Sequence, residues 1–261
     1  MNLSSMNCKL KEYFEWENLY DFSGWEKLEI FMGESLVDAW LKARPNDKYK
    51  FENLEFLKNV KESNGKWLEK QFESDTYKII VATGKGRTEE EICETIIHEM
   101  RHCLDFQISV NELSFQDYHV GNDFYNSWSE FRAVSVSVRY EFFLRNNINK
   151  DYFRDLSELL GLWNADCLMG LISSKGDPHA QIYFISRYVG ASRTIRNLSY
   201  EYQVRCDAFE LWNMAPTYIT ENYGNVFYLG NEWDEKKTCD LDVVPETYYF
   251  NDLCSRLTSN K

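Results

Sequence analysis

Apolar positions recur at intervals of three and four along most of this chain and thin into short β-like runs in one early stretch. The pattern predicts a mainly helical protein with a small sheet. Ser23 followed by Glu26 has the form of a capping box, and Trp25, Leu28, Phe31, Leu36 and Trp40 continue it as a packing helix that stops before Pro45. From Phe51 to Ala82 the texture is β-like, interrupted by turn signals at Asn64-Gly65 and Glu73-Ser-Asp-Thr76. Tyr77-Lys-Ile-Ile-Val-Ala82 has the best strand composition of the whole chain. Thr88 with Glu91 is a second capping box. Ile92, Ile96, Ile97, Met100 and Leu104 follow it at helical spacing, so a helix over 88–106 is expected to lie against a core.

A polar, aromatic-rich connection from Ser109 to Trp128 leads to a helix expected from Ser129-Glu130 to about Arg145, then a leucine-dense one from Tyr152 to Ile172. Ser173-Ser-Lys-Gly-Asp-Pro178 is the best boundary signal, and Asp177-Pro178 is a good helix start. The next helix is expected from His179 to Val189, with a break at Gly190, a resumption from Ser192 to Leu198 and a further helix from Tyr200 to Trp212. Past Pro216 the chain reads as irregular, and the acidic patch Glu232-Trp-Asp-Glu235 with Asp240-Leu-Asp242 reads as a solvated loop. The expected class is therefore α+β, mainly helical with a small mixed or antiparallel sheet. A core over 1–176 would carry a helical, then irregular, region over 177–261 packed on it.

Composition narrows the function. The chain has 261 residues, 44% hydrophobic and 16% aromatic, enough for a substantial core. A formal charge of −13 argues against a nucleic-acid-binding surface over the whole molecule. Seven cysteines form an odd set with no Cys-x-x-Cys pair, the usage of free thiols in a reducing compartment. Cys93 and Cys103 are expected to pack rather than bind metal. Neither a signal-type N-terminus nor a membrane-length apolar run is present, so the expectation is a cytoplasmic protein with no membrane partner; signal-free export would leave the same sequence.

The chemistry is carried by His98-Glu99-Met-Arg-His102 on the helix from Thr88. Residues four apart on a helix project from one face, so both imidazoles can bind the same ion. A Zn2+ ion held by two neutral imidazoles and a third protein ligand keeps one position for water, whose proton an adjacent carboxylate can take. Glu99 is placed for that role. A third histidine six residues past His102 is absent, since Asp105 and Ile108 occupy the places where a metzincin needs glycine and histidine. Glu130 on the following helix is the candidate third ligand, and Ala133 one turn on is small enough for close helix approach. Asp105 is a rival ligand, although an ion pair with Arg101 or a hydrogen bond to His102 suits its position better. His119 is a second rival, or a donor to a developing oxyanion, a role open also to Tyr118 and Tyr125. His179, at a helix start, is expected to cap or to be exposed.

Ile97-His-Glu-Met-Arg-His102 after an apolar strand, with Glu130 on a following helix, resembles the gluzincin metallopeptidases over roughly Tyr77 to Arg145. Within them it looks somewhat like the ImmA/IrrE-like peptidases that cleave transcriptional repressors, though it carries Arg101 before the second histidine and Arg132 two residues past Glu130. The resemblance implies a zincin-like domain, His98, His102 and Glu130 as zinc ligands, and Glu99 as general base. The function expected is that of a zinc metalloendopeptidase, a hydrolase acting on a protein or peptide substrate. The alternative is a non-catalytic regulatory or interaction protein with a closed zinc site. Ile185 to Ile195 also resembles a helix-turn-helix rhythm, with Gly190 at the turn and Arg187, Arg193 and Arg196 for charge; ordinary helix packing is the competing reading.

Overall fold

Strand β3, Tyr77–Ala82, lies at the centre of a three-stranded sheet in the order β1-β3-β2. In the computed structural model, β1 (Leu28–Gly33) pairs with it in parallel, Ile30 opposite Ile79, and β2 (Gly65–Leu68) pairs antiparallel, Lys66 opposite Ile80. The structure describes residues 9–13, 28–61, 63–68, 76–84, 86–111, 123–175 and 177–204. It divides into two units, 1–113 and 114–261. The molecule is mainly helical with this small mixed sheet, in keeping with an α+β class.

Ile79, Ile80 and Val81 are all fully buried, which a strand achieves only when both of its faces are covered. Ile80 packs with Leu36, Ala39, Trp40 and Ala43 of α1, Leu36–Ala43. Ile79 and Val81 point the other way, and the helix α3, Glu89–Asn111, packs against β2 and β3. Its start is the one expected: Thr88 Oγ1 accepts from Glu91 N, and Glu91 Oε2 accepts from Thr88 N at 2.8 Å. Arg87 fastens this start to the strand end, donating to the Ala82 carbonyl and to Thr95 Oγ1.

Two expectations for this unit need correction. Leu28–Gly33 is a strand rather than part of a helix from Ser23, whose first turn lies outside the described residues. The helix begins at Ser35, whose hydroxyl accepts from Asp38 N while the Asp38 carboxylate accepts from Ser35 N. Between strand and helix the chain turns so tightly that a Cβ on Gly33 would collide with the Ala39 amide nitrogen. The β-like texture from Phe51 is likewise helical at first: a 3-10 helix (Pro45–Glu52) and α2 (Leu54–Lys61) precede β2. Asn53 Oδ1 caps α2 by accepting from Glu55 N and Phe56 N. Of the two turn signals, Asn64 bends into β2, and residues 73–75 lie outside the described set.

The second unit is built on α4 (Asp123–Asn149), α5 (Tyr152–Ser173) and α6 (Pro178–Glu201), with α6 packed against the other two. Asp151 caps α5, and Asp177 caps α6 ahead of Pro178 as expected. α4 starts at Asp123, ahead of the expected Ser129. α6 runs through Gly190 without a break, which corrects the helix-turn-helix rhythm. Gly190 serves packing instead, because a Cβ there would lie 2.6 Å from the Phe131 carbonyl oxygen of α4. The helix expected from Tyr200 is also corrected: α6 ends at Glu201, and Gln203 takes a φ of 53°. The rest of that segment and the acidic patch lie outside the described residues. Among the described residues no helix is long and apolar enough to cross a membrane.

Candidate metal centre

In the first unit α3 presents His98 and His102 from successive turns, both half-buried. Their Nε2 atoms lie 3.1 Å apart and their ring planes cross at 76°. Two nitrogens bound to one tetrahedral zinc at about 2.0–2.1 Å would be roughly 3.3 Å apart. The pair therefore stands at chelation distance without any adjustment of the helix. Cys93 and Cys103, on the same helix, are fully buried thiols. Burial, with the charges of Glu99 and Asp105 adding to it, pushes the Cys103 thiol well above its ordinary range. Asp105 is fully buried and forms the expected ion pair with Arg101, Oδ1 to Nε 2.9 Å.

Glu99 is turned toward the sheet and is only 9% exposed. Its Oε2 accepts a 2.7 Å hydrogen bond from the backbone N–H of Trp67. Trp67 sits on β2, an edge among the described strands, and the bond uses an amide of that edge. Gly65 allows the approach: a Cβ at this position would run into the Thr95 methyl and come within 3.1 Å of Glu99 Cγ. In the sequence Asn64-Gly65 reads only as a turn, and nothing marks Trp67. Neither carries a local signal for its contact with a helix some 30 positions away.

In the second unit Glu130 lies on α4 and is 6% exposed. Its Oε1 accepts a 2.8 Å charge-assisted bond from Arg187 Nη1 of α6. Nη1 also lies 3.2 Å from the Tyr183 hydroxyl, and Nη2 3.5 Å from Asp166 Oδ2. The guanidinium stacks over the rings of Trp163 and Tyr183 at 5.2 and 5.5 Å. Burial works most strongly against the cation, but the charge and hydrogen bond of Glu130, together with Tyr183 and Cys167, outweigh it and hold Arg187 above its already high ordinary value. Nearby, burial pushes the Cys167 thiol up to about 12, only partly offset by Arg187. In the sequence Arg187 reads only as part of a basic rhythm. Arg193 and Arg196 lie over Phe131 and Tyr200, within their own unit.

Of the remaining candidates, His119 and Tyr118 lie outside the described residues, as does the side chain of Tyr125. His179 is exposed at the start of α6, where its backbone N–H donates to the Asp177 cap. Comparison with protein-family models, with curated proteins and with solved structures returns no match for this chain.

Proposed function

We propose that this chain is a zinc-dependent metallopeptidase of zincin-like architecture, with His98, His102 and Glu130 as metal ligands and Glu99 as general base. The observation that carries the reading is the pair of Nε2 atoms 3.1 Å apart on one helix face, with a buried carboxylate at the residue between them in the motif. Two imidazoles and one carboxylate are a catalytic zinc donor set, and Glu130 is the carboxylate proposed to complete it. Zinc bound by that set supplies a Lewis acid for the scissile carbonyl and acidifies a coordinated water.

The chain's own residues do the rest. Glu99 takes a proton from the attacking water as the C–O bond forms, and delivers a proton to the amine nitrogen as the C–N bond breaks. Trp67 N–H holds Oε2, so Oε1 is the oxygen left to receive that proton. The edge strand β2 runs beside α3, where an extended peptide can be held by backbone hydrogen bonds without demanding a particular sequence. The experiment is metal removal. Chelation should abolish cleavage of a pool of unstructured peptides read by mass spectrometry, and one equivalent of zinc should restore it; cleavage that persists in metal-free protein contradicts the reading.

The Glu99–Trp67 bond favours a second reading. A carboxylate that staples a helix to an edge strand also suits a non-catalytic zinc protein that regulates or binds a partner, in which the fourth metal position would be closed by protein.

A further inference from the structure

The proposed chemistry leaves unused an arginine in contact with a proposed ligand, Arg187 beside Glu130. Arg187 and Glu130 are both largely buried, with side chains 19% and 7% exposed, and a buried ion pair is weak evidence for stability because desolvation cancels much of its attraction. The surroundings of Arg187 do something more specific. Ring contacts with Trp163 and Tyr183, together with bonds to Tyr183 and Asp166, fix the plane of the guanidinium before it meets Glu130. That plane engages Oε1 of Glu130.

We infer, resting on the reading of Glu130 as a zinc ligand, that Arg187 is a positioning residue that commits Glu130 to coordination through a single oxygen. With Oε1 engaged, the carboxylate fills one zinc position rather than two. A four-coordinate zinc then keeps its last position for water, which is what separates a catalytic from a closed site. Groups that orient metal ligands in this way typically change metal affinity by about 10–100-fold when removed.

The test is zinc affinity by chelator competition, with the visible spectrum of the cobalt(II)-substituted protein as the reporter of coordination number. Both are measured on the full chain. Glu130→Gln should weaken zinc binding. Arg187→Gln should weaken it by about 10–100-fold, shift the cobalt bands from the four-coordinate toward a higher-coordinate form, and add nothing further in the Glu130→Gln background. Arg187→Lys keeps the buried charge but not the planar fork. Should the glutamine variant fail to fold, the lysine variant is expected to show the same spectral shift with a smaller loss of affinity. Unchanged affinity and spectrum in a folded Arg187 variant, while Glu130→Gln weakens binding, overturns this inference alone. An equal loss from Arg187→Gln in both backgrounds does the same, since it marks a structural role. Unchanged zinc affinity in Glu130→Gln overturns the ligand assignment, and this inference with it.

Discussion

Glu99→Gln should retain one zinc per chain and lose peptide hydrolysis by about two to four orders of magnitude, the usual contribution of a positioned general base. The amide keeps the size of the carboxylate and can still accept from Trp67 N–H through its oxygen, so the tether to β2 need not break. What disappears is proton affinity. Zinc content by elemental analysis and cleavage of the peptide pool, measured on the same preparation, separate the two effects. If the variant keeps both zinc and full hydrolysis, Glu99 is not the base. If neither wild type nor variant cleaves while zinc is bound, the non-catalytic reading gains.

Gly190→Ala is expected to destabilise the second unit by about 1–3 kcal/mol, the cost of overpacking a filled interior. Helix propensity alone predicts the opposite sign, a gain of about 1 kcal/mol for alanine over glycine in a helix interior. The decision lies with Phe131. Its carbonyl oxygen would stand 2.6 Å from the new Cβ, and a backbone atom in α4 cannot step aside as a flexible side chain can. Gly161 on α5 supplies the control, because a Cβ there meets nothing within 4 Å and alanine should stabilise by about 1 kcal/mol. Thermal unfolding of the two variants beside wild type reads both signs. Stabilisation by both would mean that α4 and α6 do not approach as closely as described.

The legible parts of this molecule were those encoded within a few residues. Thr88 and Glu91 close their capping box three positions apart, and His98 and His102 meet one turn apart, so helix start and imidazole pair are both visible in the sequence. β3 was legible for a similar reason, as a run of buried apolar residues. What stayed hidden depends on distant partners. Leu28–Gly33 becomes a strand because it pairs in parallel with Tyr77–Ala82, whereas its own Leu28 and Phe31 fit a helix equally well. Gly190 looks like a break until the carbonyl of Phe131 is set against it. Arg187 finds Glu130 across 57 positions, and no spacing rule reaches that far. The helix at Leu54–Lys61 is hidden for a local reason, since the side chain of Asn53 alone caps its start.

X-ray absorption at the zinc edge of the zinc-loaded protein tests the central claim most directly. The account predicts one zinc per chain with two imidazole nitrogens at about 2.0–2.1 Å, oxygen ligands at about 2.0–2.2 Å and no sulfur shell. In His98→Ala and His102→Ala the imidazole signal should fall with the zinc content. A sulfur shell near about 2.3 Å, or wild-type protein that takes up no stoichiometric zinc, would contradict it.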